Sequence, residues 1–106
     1  MPDDPIRQRE PALPAGAVNY RSIGPFNRDT IPAGLLKRHN LKEGTWGVVT
    51  VLSGEIDYAW DDGEGGCTRL DAGQAIEVPP LVPHHLELLG DVTLAIGFWR
   101  AGDGGA

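Results

Sequence analysis

Gly73-Gln-Ala-Ile-Glu-Val-Pro79-Pro-Leu-Val-Pro-His84 reads as one short strand held between two stops. Gly73 turns the chain, because glycine enters positive φ at little steric cost. Gln74–Val78 then extends, and Pro79-Pro80 ends it, since proline has no N–H to give a strand ladder. His84–Leu89 follows, with His84, Leu86 and Leu88 on one face and His85, Glu87 and Leu89 on the other. The apolar partners of His84 predict that it faces the interior. Further on, Gly90-Asp91 reads as a hairpin turn before Val92–Trp99. There Val92, Leu94, Ile96 and Phe98 alternate with Thr93, Ala95, Gly97 and Trp99. Upstream lie Cys67–Leu70, a polar Gly-rich loop over Asp61–Gly66, and Glu55–Trp60. Ser53-Gly54 reads as a tight hairpin joining Glu55–Trp60 to Thr45–Leu52. Gly34–His39 extends after Pro32, and only Asn27–Thr30 suggests a helical turn. Seven short strands with turn residues between them predict an all-β sandwich or barrel.

The 106 residues suit one domain. A hydrophobic fraction of 41% and a charged fraction of 23% are those of an ordinary globular chain. The net charge of −6 repels phosphate backbones and anionic bilayers, which argues against nucleic acid or a membrane as partner. No run approaches the roughly 18 apolar residues of a membrane span, and the N-terminus lacks the pattern of a signal peptide. The single cysteine, Cys67, can form no internal disulfide. A cytoplasmic protein is the expectation. Residues 1–16 carry four prolines and read as an extended arm, 17–100 as the domain, and the Gly-rich 101–106 as a flexible tail.

The Gly73 to His84 stretch resembles the second cupin motif, G-x5-P-x-G-x-x-H, with Leu81 in place of its last Gly. Gly54 matches the closing Gly of the first cupin motif. His39 lies one residue beyond the first His position of that motif, and Gly47 stands where its Glu ligand belongs. Ile31-Pro32, the run Lys37 to Gly47 containing His39-Asn40-Leu41-Lys42-Glu43-Gly44-Thr45-Trp46, and Val51 to Gly54 extend the likeness. With Pro80 to His84, Glu87 and Gly97-Phe98, the chain resembles the TehB/YeaR-like cupin family over about residues 25 to 100. That resemblance implies a cupin-type double-stranded β-helix, a jelly-roll barrel. It also implies a link to oxyanion or metal stress, tellurite included. Methyl transfer is not implied, because nothing here resembles a methyltransferase cofactor loop.

His84 reads either as a metal ligand or as a hydrogen-bonded core histidine. The resemblance makes His39 its partner; otherwise His39 is a surface residue beside Lys37, Arg38 and Lys42. Two imidazoles form a weak site, since zinc usually takes three or four protein ligands and iron commonly two His and a carboxylate. Glu87 would supply the carboxylate only if a bulge reversed its face, and Glu43 is a candidate of similar standing. The expected cofactor is a divalent ion (zinc, iron or nickel), or none. Trp46, Tyr58 and Phe98 could line an apolar ligand pocket at the barrel mouth, or serve only as core. No catalytic residue is identifiable. Edge strands in need of cover and the outward stripe Ala95, Gly97 and Trp99 predict a homodimer. Two function classes remain: a module binding a small ligand or ion, and a metal-dependent oxygenase or isomerase.

Overall fold

The computed structural model describes residues 5–102. Seven strands make two antiparallel sheets: β1 (Val18–Asn27), β2 (Trp46–Ser53), β3 (Glu55–Trp60), β4 (Cys67–Asp71), β5 (Ala75–Val78), β6 (His84–Leu88) and β7 (Thr93–Arg100). One sheet has the order β1-β7-β2-β5, the other β4-β3-β6. They pack face to face as a cupin-type all-β fold. Alternation along each strand drives this packing. Val49 and Val51 of β2, Ile76 and Val78 of β5, and Leu94 and Ile96 of β7 point inward from one sheet. Ile56, Tyr58 and Trp60 of β3, Leu70 of β4 and Leu86 of β6 point inward from the other. Each buried aliphatic side chain contributes about 1.5–3 kcal/mol, so a one-residue slip of any strand would forfeit several such terms.

Six of the expected strands form within a residue or two of their expected ends. The seventh differs. Ala33–Leu36 is a 3-10 turn, not part of a Gly34–His39 strand. Pro32 starts it, Leu35 N–H donates to the Pro32 carbonyl, and both Ile31 and Leu35 turn toward the core. The strand β1 carries no such signal in the sequence, because Gly24-Pro25 interrupts it and most of its residues are exposed. It survives as an edge strand paired only with β7, where an interrupted ladder is tolerated. A single turn follows it, fixed by the Asn27 side chain, which accepts from the N–H groups of Asp29 and Thr30.

Neither Ser53-Gly54 nor Gly90-Asp91 is a hairpin turn. β2 and β3 belong to different sheets, as do β6 and β7, so both junctions carry the chain across the sandwich. Gly54 is required there: its φ is +79°, and a Cβ would strike the Asp91 carbonyl oxygen.

The arm lies along the domain, its first four residues outside the described part of the chain, as are the last four of the tail. Ile6 extends the β5 edge, donating to Ala75 O and accepting from Glu77 N–H. The Gln8 side-chain oxygen accepts from Trp60 Nε1 at 2.9 Å and from the Thr68 hydroxyl at 2.7 Å. Arg9 forks onto Asp62 at 2.6 and 3.2 Å, donates to Gly65 O, and lies 4.7 Å over the Trp60 ring.

Candidate functional site

His84 is the first residue of β6, and alternation points it inward, where it is 3% exposed. His39 lies in no strand. It reaches the site because its backbone pairs with that of His84: His39 N–H donates to His84 O at 3.0 Å and His84 N–H to His39 O at 2.8 Å. This two-bond exchange sets the side chains next to each other. The ring centroids are 4.2 Å apart, edge to face.

Backbone carbonyls fix the tautomers. His39 Nδ1 is 2.8 Å from Lys37 O, and His84 Nδ1 is 2.9 Å from Val82 O. A carbonyl oxygen only accepts, so each Nδ1 donates a proton and each neutral ring keeps its Nε2 lone pair free. Burial, opposed by the Val82 carbonyl and reinforced by His39, lowers the His84 pKa from 6.5 to about 4. His84 is therefore a neutral imidazole at physiological pH.

The two rings open onto a cavity of about 50 Å³. That is room for an ion, a few waters or one small chemical group. Its other walls are apolar: Leu35, Leu41, Val49, Val78, Leu86, Ile96 and Phe98, with Gly47. Gly47 brings no side chain, and a Cβ there would first meet Leu41 Cδ1 at 3.1 Å. The position that would carry a carboxylate ligand thus contributes no ligand atom, and its neighbours close in around the bare backbone.

Of the expected pocket residues, Phe98 lines the cavity. Tyr58 stands behind it, fully buried and stacked on His84 with centroids 5.3 Å apart. Its buried hydroxyl has no partner among the described residues, and burial holds its pKa far above the ordinary value. Trp46 does not reach the cavity. It faces the opposite side of β2, where its indole N–H donates to Pro11 O at 2.9 Å. In the run Trp46 to Val51 both faces are uncharged, so alternation alone does not reveal which one is inside. Glu87 also lies outside, accepting from His85 Nε2 at 2.8 Å on the outer face. His85 donates its other N–H to Asp61 at 2.7 Å, and the two carboxylates, Asp61 first, raise its pKa. Glu43 is exposed in the turn before β2. Among the described residues no three His, Cys, Asp or Glu side chains gather to hold a metal. Leu35, Leu41 and Gly47 are the wall residues that the strand pattern does not announce, because Leu35 lies in the 3-10 turn, Leu41 in the loop before β2, and Gly47 has no side chain.

The family model of the TehB-like domain matches residues 21–96. The chain belongs to the TehB-like family. It is 27% identical over 88 residues to the probable S-adenosyl-L-methionine-dependent methyltransferase TehB of Haemophilus influenzae, covering 77% of this chain and 30% of that protein. A protein of Escherichia coli strain K12 superposes with a TM-score of 0.78 at 26% identity, covering 89% of this chain and 100% of the other. The crystal structure of Haemophilus influenzae TehB gives a TM-score of 0.75 at 25% identity, over 81% of this chain and 32% of that one. This TehB-like chain thus spans about a third of the TehB proteins it matches. A partial likeness extends to the Fe(II) form of HppE, with a TM-score of 0.51 at 26% identity over 59% of this chain.

Proposed function

We propose that this TehB-like domain is a binding module whose cavity takes a divalent cation, or a small ligand that donates hydrogen bonds, on the Nε2 atoms of His39 and His84. The observation that carries this reading is the paired tautomer. Two carbonyls occupy the two Nδ1 protons, which leaves two lone pairs at the mouth of an apolar cavity. Such a surface accepts protons or metal ions and offers an anion nothing. The link to tellurite or related stress that the family resemblance implies would then run through a metal or a protonated group, not through capture of a bare oxyanion. With Gly47 in place of a carboxylate, an ion here takes two protein nitrogens and completes its shell with water or a second ligand. Bound zinc, iron or nickel would supply a positive charge that polarises that ligand. A reducing compartment such as the cytoplasm suits the exposed, unpaired Cys67 thiol.

The test is thermal unfolding of protein carrying no histidine tag, with and without zinc, nickel or iron(II). An ion that binds only the folded chain raises Tm by mass action. His84→Gln and His39→Gln should each abolish that rise, and His85→Gln should leave it. A rise retained in both of the first two variants would remove the site. The likeness to Fe(II) HppE favours a second reading, a metal-dependent oxygenase or isomerase. It requires iron to stay bound through gel filtration and a small molecule to be consumed.

A further inference from the structure

We infer that the groove beside His39 seats the anionic end of a small organic acid whose uncharged end enters the cavity. This rests on the reading of His39 and His84 as the binding pair and names the class of ligand that the pair takes. Arg38, His39, Asn40, Leu81 and Pro83 surround an open groove of about 490 Å³. His39 also lines the small apolar cavity, so one imidazole borders both spaces. Backbone contacts fix the walls: His39 and His84 exchange two hydrogen bonds, and Leu81 N–H donates to Leu41 O at 2.8 Å. The cavity has room for one small group, and the groove has room for the rest of a small molecule.

Charge gives the class. From Ile31 to Lys42 the chain carries Lys37, Arg38 and Lys42 and no acidic residue. From Val78 to Leu86 it carries no Asp, Glu, Lys or Arg at all. The two stretches that wall the groove are thus positive in a chain whose net charge is −6. Arg7, Arg9, Arg28 and Arg69 each have a carboxylate partner, whereas Lys37, Arg38 and Lys42 are in no ion pair among the described residues. Three cations without partners around one site draw anions to it. The Arg38 guanidinium can grip a carboxylate or phosphate with two parallel hydrogen bonds, and the exposed Asn40 amide can donate another. Inside the cavity the two Nε2 atoms only accept, so the other end of the ligand carries a hydroxyl or an N–H. Leu81 points the same way. Its side chain stands exposed in the groove wall although its φ is +67°. A strained residue that buries little of itself in the fold is useful where a ligand covers it.

The probes are the ω-hydroxy acids from glycolate to 5-hydroxyvalerate and hydroxyalkyl phosphates of the same lengths, followed by NMR of the histidine ring nitrogens. At least one of them should shift the His39 and His84 Nε2 resonances saturably at millimolar concentration. The diol of the same length should bind about tenfold more weakly. Arg38→Gln should weaken the anion about tenfold and leave the diol unchanged, and added salt should weaken the anion alone. Arg69→Gln on the other sheet should change neither. An anion that binds no better than its diol, or as tightly to Arg38→Gln, would overturn the inference and leave the histidine pair standing. An anion held as tightly by both His39→Gln and His84→Gln would remove the pair with it. No shift from any probe would also overturn the inference, with the metal-induced rise in Tm remaining as the separate test of the pair.

Discussion

His84 and His85 are neighbours in sequence with opposite chemistry. His84 is buried and held neutral; His85 sits between Asp61 and Glu87, whose carboxylates raise its pKa and favour its protonated form. Their effects on stability have opposite signs. For His84 the folded pKa, about 4, lies below its ordinary 6.5. Between those values the unfolded chain binds a proton that the folded chain refuses, so stability falls as pH drops through this window. The loss reaches about 2–3 kcal/mol near its lower end, at 1.36 kcal/mol per unit. The stability that His85 draws from its carboxylates is complete below 6.5 and fades as pH rises through its raised folded value. In chelator-treated protein, His84→Gln should flatten the acid-side decline seen in urea melts, and His85→Gln should not. Alternation alone pointed His84 inward and His85 outward; what the sequence could not show was the acceptor on each ring nitrogen. Those acceptors come from Lys37, Val82 and Asp61, none of which any periodicity links to a histidine.

Leu81 is a second residue with a measurable consequence. It occupies the motif position where glycine is usual, and its φ is +67°, the one positive value outside glycine among the described residues. A left-handed backbone costs an L-residue about 1–2 kcal/mol, against about 0.5–1 kcal/mol for the greater unfolded entropy of glycine. The Leu81 side chain is 56% exposed, so little burial offsets the difference. Leu81→Gly should raise stability by about 0.5–1 kcal/mol, read as a rise in Tm of a few degrees. An unchanged or lower Tm would show that the leucine side chain contributes more than its exposure suggests.

Among the elements, those with clean alternation were legible and those shaped by tertiary partners were not. β3, β6 and β7 announce their inner faces in sequence. β1 hides because Gly24-Pro25 breaks its pattern and only pairing with β7 holds it extended. Ser53-Gly54 announces a turn correctly, but nothing local says that the turn leaves one sheet for the other. Gly54 shows the difference in a testable form. In a free hairpin a Gly→Ala change at positive φ costs about 1 kcal/mol. Here the added methyl also meets the Asp91 backbone between β6 and β7. Gly54→Ala should therefore cost about 3 kcal/mol or more, read by chemical denaturation. A loss near 1 kcal/mol would mean that the crossing has slack.

The arm acts at the same scale. Arg9 ties it to Asp62 and to the face of Trp60, whose ring in turn meets Tyr58 and His84. Arg9→Ala should lower Tm by a few degrees and shift tryptophan emission to the red as Trp60 gains water. Emission that does not move would mean that Gln8 and the Ile6 and Pro11 backbone contacts hold the arm without Arg9. A proline-rich arm was readable from composition; its anchor points were not, because each is a long-range pairing of one arm residue with a different strand or loop.

At the scale of the whole molecule, β3 and β4 are, among the described residues, the only strands adjacent both in sequence and in a sheet. Every other pairing joins segments far apart along the chain, and the last strand, β7, is the inner neighbour of both β1 and β2. This order has a kinetic meaning. An early β3–β4 hairpin can close within microseconds, yet two strands alone are marginal in water. The rest must wait for contacts of long sequence separation, which places refolding in the millisecond-to-second range. During synthesis β1 and β2 leave the ribosome long before the strand that will sit between them. Until β7 arrives, their backbone groups stay open to any other extended chain. A stop codon before Thr93 would leave a chain without the centre of its larger sheet, and such a fragment would expose the unpaired edges of β1 and β2 to aggregation.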